Sequence, residues 1–342
     1  MIGVAVVGAG HWGPNLIANF ERSDRSQVLH VIDADADRLE MVRNRFPNAQ
    51  ASSTVKAALE DDAVQALVIA TSTASHFELA RQALEAGKHV LVEKPMTNSA
   101  ESSRILCALA QKNQRVLMVG HVFVYNAASL RIKEYLKQGE LGGIHYISMV
   151  RTNLGPIRVD VDAAWDLAAH DIALANFWLD AEPESVSASG GSYINEGIAD
   201  VIFATLRYPG GILVNLHASW LNPRKARDIT VVGERRMLTF DDLDVSEPLR
   251  LYDKRVGQSL STPMLVDSID SFRTSVRVGD ITVPRVELKE PLMSECDHFL
   301  DCILEGKAPR SGGSEGLAVV RVLEALSRSR EAGGREIRVE SR

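Results

Sequence analysis

The sequence holds only three cysteines, Cys107, Cys296 and Cys302. An odd number without C-x-x-C spacing excludes a disulfide framework and offers no thiolate cluster for zinc, so all three read as small hydrophobes packed in helices of a reducing compartment. No apolar run approaches the roughly 18 residues that would cross a bilayer. The N-terminal apolar segment Ile2 to Val7 runs straight into glycines and has no basic lead-in, so neither a secretion leader nor a membrane span is expected and the chain reads as cytoplasmic. Runs of one charge sign are also missing, and the net charge is a modest −7. Nucleic acid and membrane surfaces are therefore not expected as partners. There is no internal repeat and no low-complexity linker. What remains is 342 residues at 45% hydrophobic, enough for two domains of about 100–200 residues each.

The two halves differ in pattern. Up to about Gly120, short continuous apolar runs (Ile2–Val7, Val28–Ile32, Ala66–Ala70, His89–Val92, Val116–Val119) alternate with amphipathic stretches, among them a helix over Ala74–Ala86 stopped by Gly87. Strands that are apolar throughout are buried on both faces, which makes residues 1–120 a doubly wound α/β domain with a parallel sheet. Beyond it, a helix near Ala128–Gln138 precedes strands at Ile144–Thr152, Ser185–Ser192, Val201–Tyr208, Ile212–Leu221 and Asp228–Gly233. Several alternate polar and apolar residues. Residues 121–342 are accordingly expected to form an α+β domain with an open, mostly antiparallel sheet, one face of which could pair subunits into a homodimer or homotetramer. Glu247–Pro291 reads as polar turns and short strands, and Glu295–Leu304 and Gly316–Glu331 as helices able to pack back on the first domain.

Val4 to Val7 lead directly into Gly8-x-Gly10-x-x-Gly13, with a helical pattern from Pro14. In a Rossmann turn the first glycine permits the bend, the second lets a pyrophosphate approach the backbone, and the third allows close helix–strand packing. His11 and Trp12 fall inside the turn. Asp33 closes the second strand, twenty residues beyond Gly13, where a carboxylate can accept from adenosine ribose hydroxyls. The same charge repels a 2′-phosphate, which favours NAD over NADP, although Arg38 lies close enough in sequence to reach a phosphate. Asp35 and Asp37 read as a solvated turn.

A third strand end carries Gly87-Lys88-His89-Val90-Leu91-Val92-Glu93-Lys94-Pro95, Thr71-Ser72 lie at the end of the strand before it, and Asp166-x-x-x-His170 follows downstream. Together with Glu295-x-x-His298-Phe299-Leu300-Asp301, these motifs resemble the Gfo/Idh/MocA family along essentially the whole chain. The resemblance implies an NAD-dependent oxidoreductase acting on a ring secondary alcohol of a sugar, sugar nucleotide or cyclitol. It assigns Lys94 to the reacting carbinol and nicotinamide, gives His170 an acid/base role and sets Asp166 against the substrate or the histidine. Glu93 would orient Lys94 or meet the nicotinamide ribose, and Pro95 would stand in an unusual peptide geometry. A lysine held between cofactor and substrate can polarise a carbonyl oxygen, and an imidazole can take the alcohol proton. No metal is called for. The stretches Gly13-Pro14-Asn15-Leu16 and Asn153 to Asp171 look like the sugar-nucleotide branch, such as UDP-N-acetylglucosamine-uronate 3-dehydrogenases. The family also holds glycosidases that use bound NAD as a transient oxidant, and a cofactor-binding regulator without turnover is a third reading.

Weaker candidates complete the expectation. Thr71, Ser72 and His76 stand where the cofactor would pass. His121 and Tyr125 open the second domain, with Tyr125 as a pocket residue. Asn153, Arg158 and Trp165 are placed to meet a sugar or its phosphate. If Asp166 to His170 is an α-helix, the spacing of four sets both side chains on one face and turns Asp171 elsewhere.

Overall fold

The computed structural model of the chain describes residues 1–256, 276–287 and 289–340. It divides into two compact units, Met1–Asn126 with Lys289–Glu324, and Ala127–Leu288 with Ala325–Arg342.

Unit 1 is built on six parallel strands, β1 (Ile2–Val7), β2 (Ser26–Ile32), β3 (Gln50–Ser52), β4 (Val64–Ile69), β5 (His89–Glu93) and β6 (Leu117–Gly120), in the order β3-β2-β1-β4-β5-β6. All six residues of β1 are buried, as a central strand covered on both faces must be. Helices α1 (Gly13–Arg22), α2 (Ala36–Arg45), α3 (Lys56–Glu60), α4 (Thr73–Glu85) and α5 (Ala100–Lys112) make the crossovers. The order reverses between β1 and β4, and in such sheets ligands bind beyond the strand ends at that switch point. The Gly8 turn and Thr71 leave the sheet there. A 3₁₀ turn over Val122–Tyr125 follows β6.

Unit 2 opens with α6 (Ala127–Lys137) and holds α7 (Ala169–Leu179) beside a mixed sheet. Its strands are β7 (Ile144–Leu154), β8 (Ser185–Gly191), β9 (Val201–Arg207), β10 (Leu213–Ser219), β11 (Leu221–Gly233), β12 (Met237–Asp241), β13 (Leu249–Val256), β14 (Val276–Thr282) and β15 (Ile337–Arg338). Among the described residues they run β14-β13-β12-β11-β7-β10-β9-β8-β15, antiparallel except for β7 beside β10. The strands read from β-period alternation are all present. The three-residue β3 and the strands β12 and β13 carry too short or too polar a pattern to be read that way. Of the Glu247–Pro291 expectation, residues 257–275 lie outside the described residues.

The last long helices are α8 (Pro291–Glu305) and α9 (Gly313–Glu331). The buried face of α8 is Leu292, Glu295, Cys296, Phe299, Leu300 and Cys302, a helical stripe interrupted by one carboxylate. No helix among the described residues is long and apolar enough to cross a membrane.

Candidate active site

In unit 1 the glycine turn has the shape that a dinucleotide requires. Gly8 has φ +98°, and a Cβ on Gly13 would run into the Gly8 carbonyl oxygen. Helix α1 starts at Gly13 with Pro14 in its first turn and no side-chain cap, which leaves N–H groups and the positive helix end for a pyrophosphate. Asp33 is 8% exposed. It accepts from the Ala9 N–H at 2.7 Å and the Asp35 N–H at 2.9 Å, and so ties the end of β2 to the turn. Each carboxylate oxygen keeps lone-pair capacity for a ribose hydroxyl. Arg38 stands over the turn, 3.5 Å from Asp33 and 3.6 Å from Asp35. Asp35, exposed, is the N-cap of α2 and accepts from the Asp37 and Arg38 N–H groups, so the solvated turn is the start of a helix. His11 is exposed and Trp12 half-buried.

The β5 end differs from its neighbours in holding an inward-turned acid. The Glu93 carboxylate lies against Gly120, where any Cβ would strike it. Burial pushes Glu93 up to about 7, while the Lys94 charge, the Lys94 backbone N–H and the Trp12 side chain pull it back. Lys94 follows at the strand end, partly exposed, and the Lys94–Pro95 peptide is cis. His121 is 2% exposed, with neither ring nitrogen partnered among the described residues. Burial, helped by the Lys94 charge, pushes it down to about 3, so it stays neutral. Glu295 is fully buried, both its oxygens lack a partner among the described residues, and burial with Glu93 nearby raises it well above the usual carboxylate range. Orphaned polar atoms of this kind are rare in native interiors. Together with the glycine cradle they fit a polar cofactor.

The raised Glu93 makes a prediction. The folded chain keeps this proton up to about pH 7, whereas an unfolded glutamate gives it up near about 4.3. The stabilising proton is therefore fully retained below the unfolded value and lost as pH rises through the folded one, a penalty on the order of 3 kcal/mol. Glu93→Gln removes it. Thermal unfolding should show the variant gaining on the wild type between pH 5 and pH 8; an unchanged difference in Tm at the two pH values contradicts the assignment.

Four unit 1 candidates need correction or refinement. Tyr125 is a core residue, 1% exposed, with its hydroxyl on Ser311 at 3.0 Å and its ring against His298, so it does not line a pocket. His76 is 1% exposed and its ring nitrogens lie 2.9 Å from the Pro95 carbonyl oxygen and 3.1 Å from that of Thr71. It joins the two loops instead of facing a ligand. Ser72 is the N-cap position of α4, and Thr71 accepts from the Ser75 hydroxyl at 2.7 Å.

In unit 2 the segment Ala164–Ala168 winds as a π-helix before α7 begins at Ala169. The one-face argument for Asp166 and His170 took α geometry throughout, whereas the first part of that span is a π-helix, whose wider winding changes the angle between the two side chains. Asp166 accepts from Trp220 Nε1 at 3.1 Å and from Arg158 at 3.3 Å, and Arg158 also grips Asp160 at 2.6 Å. Two candidates, Asp166 and Arg158, thus hold each other. Trp165 donates to the Ser327 hydroxyl at 3.1 Å, and Asn153 stands half-buried one residue before the end of β7. His170 heads α7, half-buried. Next to it Asp171 is buried, 2% exposed, and takes two bonds from Arg151, at 2.9 and 2.6 Å. Burial pushes Asp171 up and the Arg151 charge pulls it back.

Sequence reasoning passed over Arg151, Trp220 and the chemistry of Glu295. Two left a signal. Arg151 falls on the inward parity of β7 with Ile147 and Met149, and Glu295 falls in the apolar stripe of α8; a charge at an inward position is seldom accidental.

Comparison with known proteins agrees with both units. The family model for the NAD-binding Rossmann fold of the Gfo/Idh/MocA oxidoreductases matches residues 2–121, and that for the Gfo/Idh/MocA C-terminal domain matches residues 129–239. The chain is 29% identical over 329 residues, 96% of each chain, to the UDP-N-acetylglucosamine 3-dehydrogenase of Acidithiobacillus ferrooxidans. A solved structure of that enzyme superposes with a TM-score of 0.81 over 97% of this chain and 99% of the other. The scyllo-inositol 2-dehydrogenase (NAD(+)) of Bacillus subtilis is 26% identical over 318 residues, 89% of this chain and 87% of its own. GenD2 from gentamicin A biosynthesis, solved with NAD, is 26% identical with a TM-score of 0.83 over 99% and 97% of the two chains. With both halves matched and a dinucleotide cradle in the first, the chain belongs to the Gfo/Idh/MocA family and is an NAD(P)-dependent dehydrogenase with NAD as its cofactor.

Proposed function

We propose that the chain oxidises a ring secondary alcohol of a nucleotide-linked sugar. The observation that carries this reading is the end-to-end match to a UDP-N-acetylglucosamine 3-dehydrogenase, 96% of either chain, while the inositol dehydrogenase match keeps cyclitols in the same class.

NAD, when bound, supplies the acceptor for the carbinol hydrogen. The rest of the chemistry belongs to side chains. Lys94, at the β5 end, hydrogen-bonds the carbinol oxygen and balances its charge as the proton departs. His170 takes that proton as general base. Asp166, held by Trp220 and Arg158, offers its remaining lone pairs to substrate hydroxyls, and Arg158 stands ready for a phosphate or carboxylate. Glu93, titrating at about 7, adds negative charge beside Lys94 as pH rises.

Assembly is part of the proposal. One face of the unit 2 sheet exposes Tyr146, Phe203 and Leu213 at 46%, 49% and 36%, and Phe203 stacks on His217 with ring centroids 4.4 Å apart. The register aligns Tyr146 with Leu213 and Phe203 with His217 on one face of the sheet, with Ser148 and Asn215 in the row between them, a face suited to a second copy of the chain.

The test is a substrate panel of UDP-sugars, inositols and free hexoses with NAD, followed by NADH absorbance. Turnover is expected with a UDP-sugar, UDP-N-acetylglucosamine first. Turnover with inositols alone would move the substrate class, and none with any polyol would end the dehydrogenase reading of the site.

A further inference from the structure

We propose that the buried ion pair between Arg151 on β7 and Asp171 on α7 is a positioning device for His170, setting the rotation of the helix end that carries it. The inference rests on His170 serving as the acid/base group.

The argument starts from what α7 lacks. Its residues Asp171, Ile172, Ala173, Leu174 and Ala175 are all buried in succession, as is Trp178. Five consecutive buried positions span more than one full turn at about 3.6 residues per turn, so apolar packing surrounds the helix instead of gripping one face. The side chains are mostly alanines and aliphatics, and non-directional contacts of this kind specify rotation about the helix axis poorly. Directional bonds must do it. At the far end they are present: Trp178 Nε1 donates to the Ser129 carbonyl and hydroxyl oxygens, both at 3.1 Å, and Asn176 accepts from the Tyr208 hydroxyl at 2.7 Å.

At the near end the helix has just emerged from the π segment Ala164–Ala168. A change of winding is the point at which the direction of the following side chains is least determined by what precedes. Asp171 sits one residue past His170 and receives both Nε and Nη2 of Arg151 on a single oxygen, at 2.9 and 2.6 Å. The planar guanidinium fork fixes angle as well as distance. Arg151 is anchored in turn by its strand, with β10 on one side and β11 on the other, and its neighbour across the β11 register is Arg227, which bonds Asp242 at 2.7 Å. Two arginines side by side on the sheet, Arg151 bonded to Asp171 and Arg227 held by Asp242, so give Asp171 a fixed positive platform. Such a pair adds little net stability over an apolar pair of like size. Its effect lies in orientation.

That distinction designs the experiment. Arg151→Met/Asp171→Leu replaces the pair by apolar groups of similar volume and is expected to fold, since α7 keeps Trp178 and Asn176. With UDP-N-acetylglucosamine and NAD, kcat should fall on the order of 100-fold, the cost of about 1 Å of misplacement. KM for NAD should hold within about twofold, since the glycine turn is untouched. In ¹⁵N-histidine-labelled protein the His170 ring resonances, assigned with His170→Asn, should shift or broaden, a readout that needs no turnover. Arg151→Lys keeps the charge without the fork and should lie between wild type and the double variant. A double variant with wild-type kcat and unmoved His170 resonances overturns the inference while leaving the His170 assignment standing. If His170→Asn itself retains kcat, the acid/base assignment falls and this inference with it.

Discussion

Lys94→Met should lower kcat by about three orders of magnitude, within the range over which a positioned acid/base group acts, with KM for NAD changing less than about tenfold. Methionine keeps the length and apolar stem of lysine and removes the ammonium. The expectation follows from placement. Lys94 follows the end of β5 on the ligand side of the sheet, beside an acid that burial pushes up to about 7 and a histidine that burial holds neutral. In that setting the ammonium is the group able to meet negative charge developing on the substrate oxygen. Arginine should not restore activity, because a planar fork cannot replace a compact point charge. A steady-state comparison of wild type, Lys94→Met and Lys94→Arg on the substrate found by the panel checks this. A Lys94→Met variant within about fivefold of wild type would remove Lys94 from the chemistry and leave it as a surface residue after a strand.

How much of this was legible in sequence depends on which physical signal each residue leaves. The cradle was readable because glycine is demanded at fixed offsets by turn geometry and close approach, and the strand ahead of it is apolar throughout. The same holds for the β5 end, where Glu93, Lys94 and Pro95 close a buried strand. Residues whose identity is local but whose role is tertiary were misread. Tyr125 and His76 are polar groups near the ligand edge, and nothing in sequence reveals that Ser311 accepts one, or that two backbone carbonyls occupy the other. The spacing of Asp166 and His170 was legible, but the π winding between them was not, because winding is decided by how the flanking segments are pinned. Arg151 with Asp171 shows the remaining limit: parity marks the arginine as inward, yet only the fold says that its partner adjoins His170.

Asp33 bears the cofactor choice, and the second large effect is expected there. Its carboxylate receives the Ala9 and Asp35 N–H groups and stands 3.5 Å from Arg38. On the proposed reading it would serve two ends: accepting ribose hydroxyls, and opposing a 2′-phosphate by like charge, worth about 4 kcal/mol at contact in a partly screened site. It also keeps Arg38 engaged. Asp33→Ser removes the repulsion and releases Arg38 toward a phosphate, while the serine hydroxyl can still accept one of the two backbone bonds. KM for NAD should rise about 10- to 100-fold, from the loss of bonds to an ionised acceptor. NADP should become usable, so that the preference expressed as kcat/KM shifts toward NADP by on the order of 100-fold or more. Adding Arg38→Ala should cancel the gain with NADP and leave the loss with NAD, since only the phosphate needs the arginine. If Asp33→Ser leaves the ratio of the two cofactors unchanged, discrimination lies elsewhere in the turn. If the ratio moves equally with and without Arg38, repulsion alone governs it and the arginine has no part.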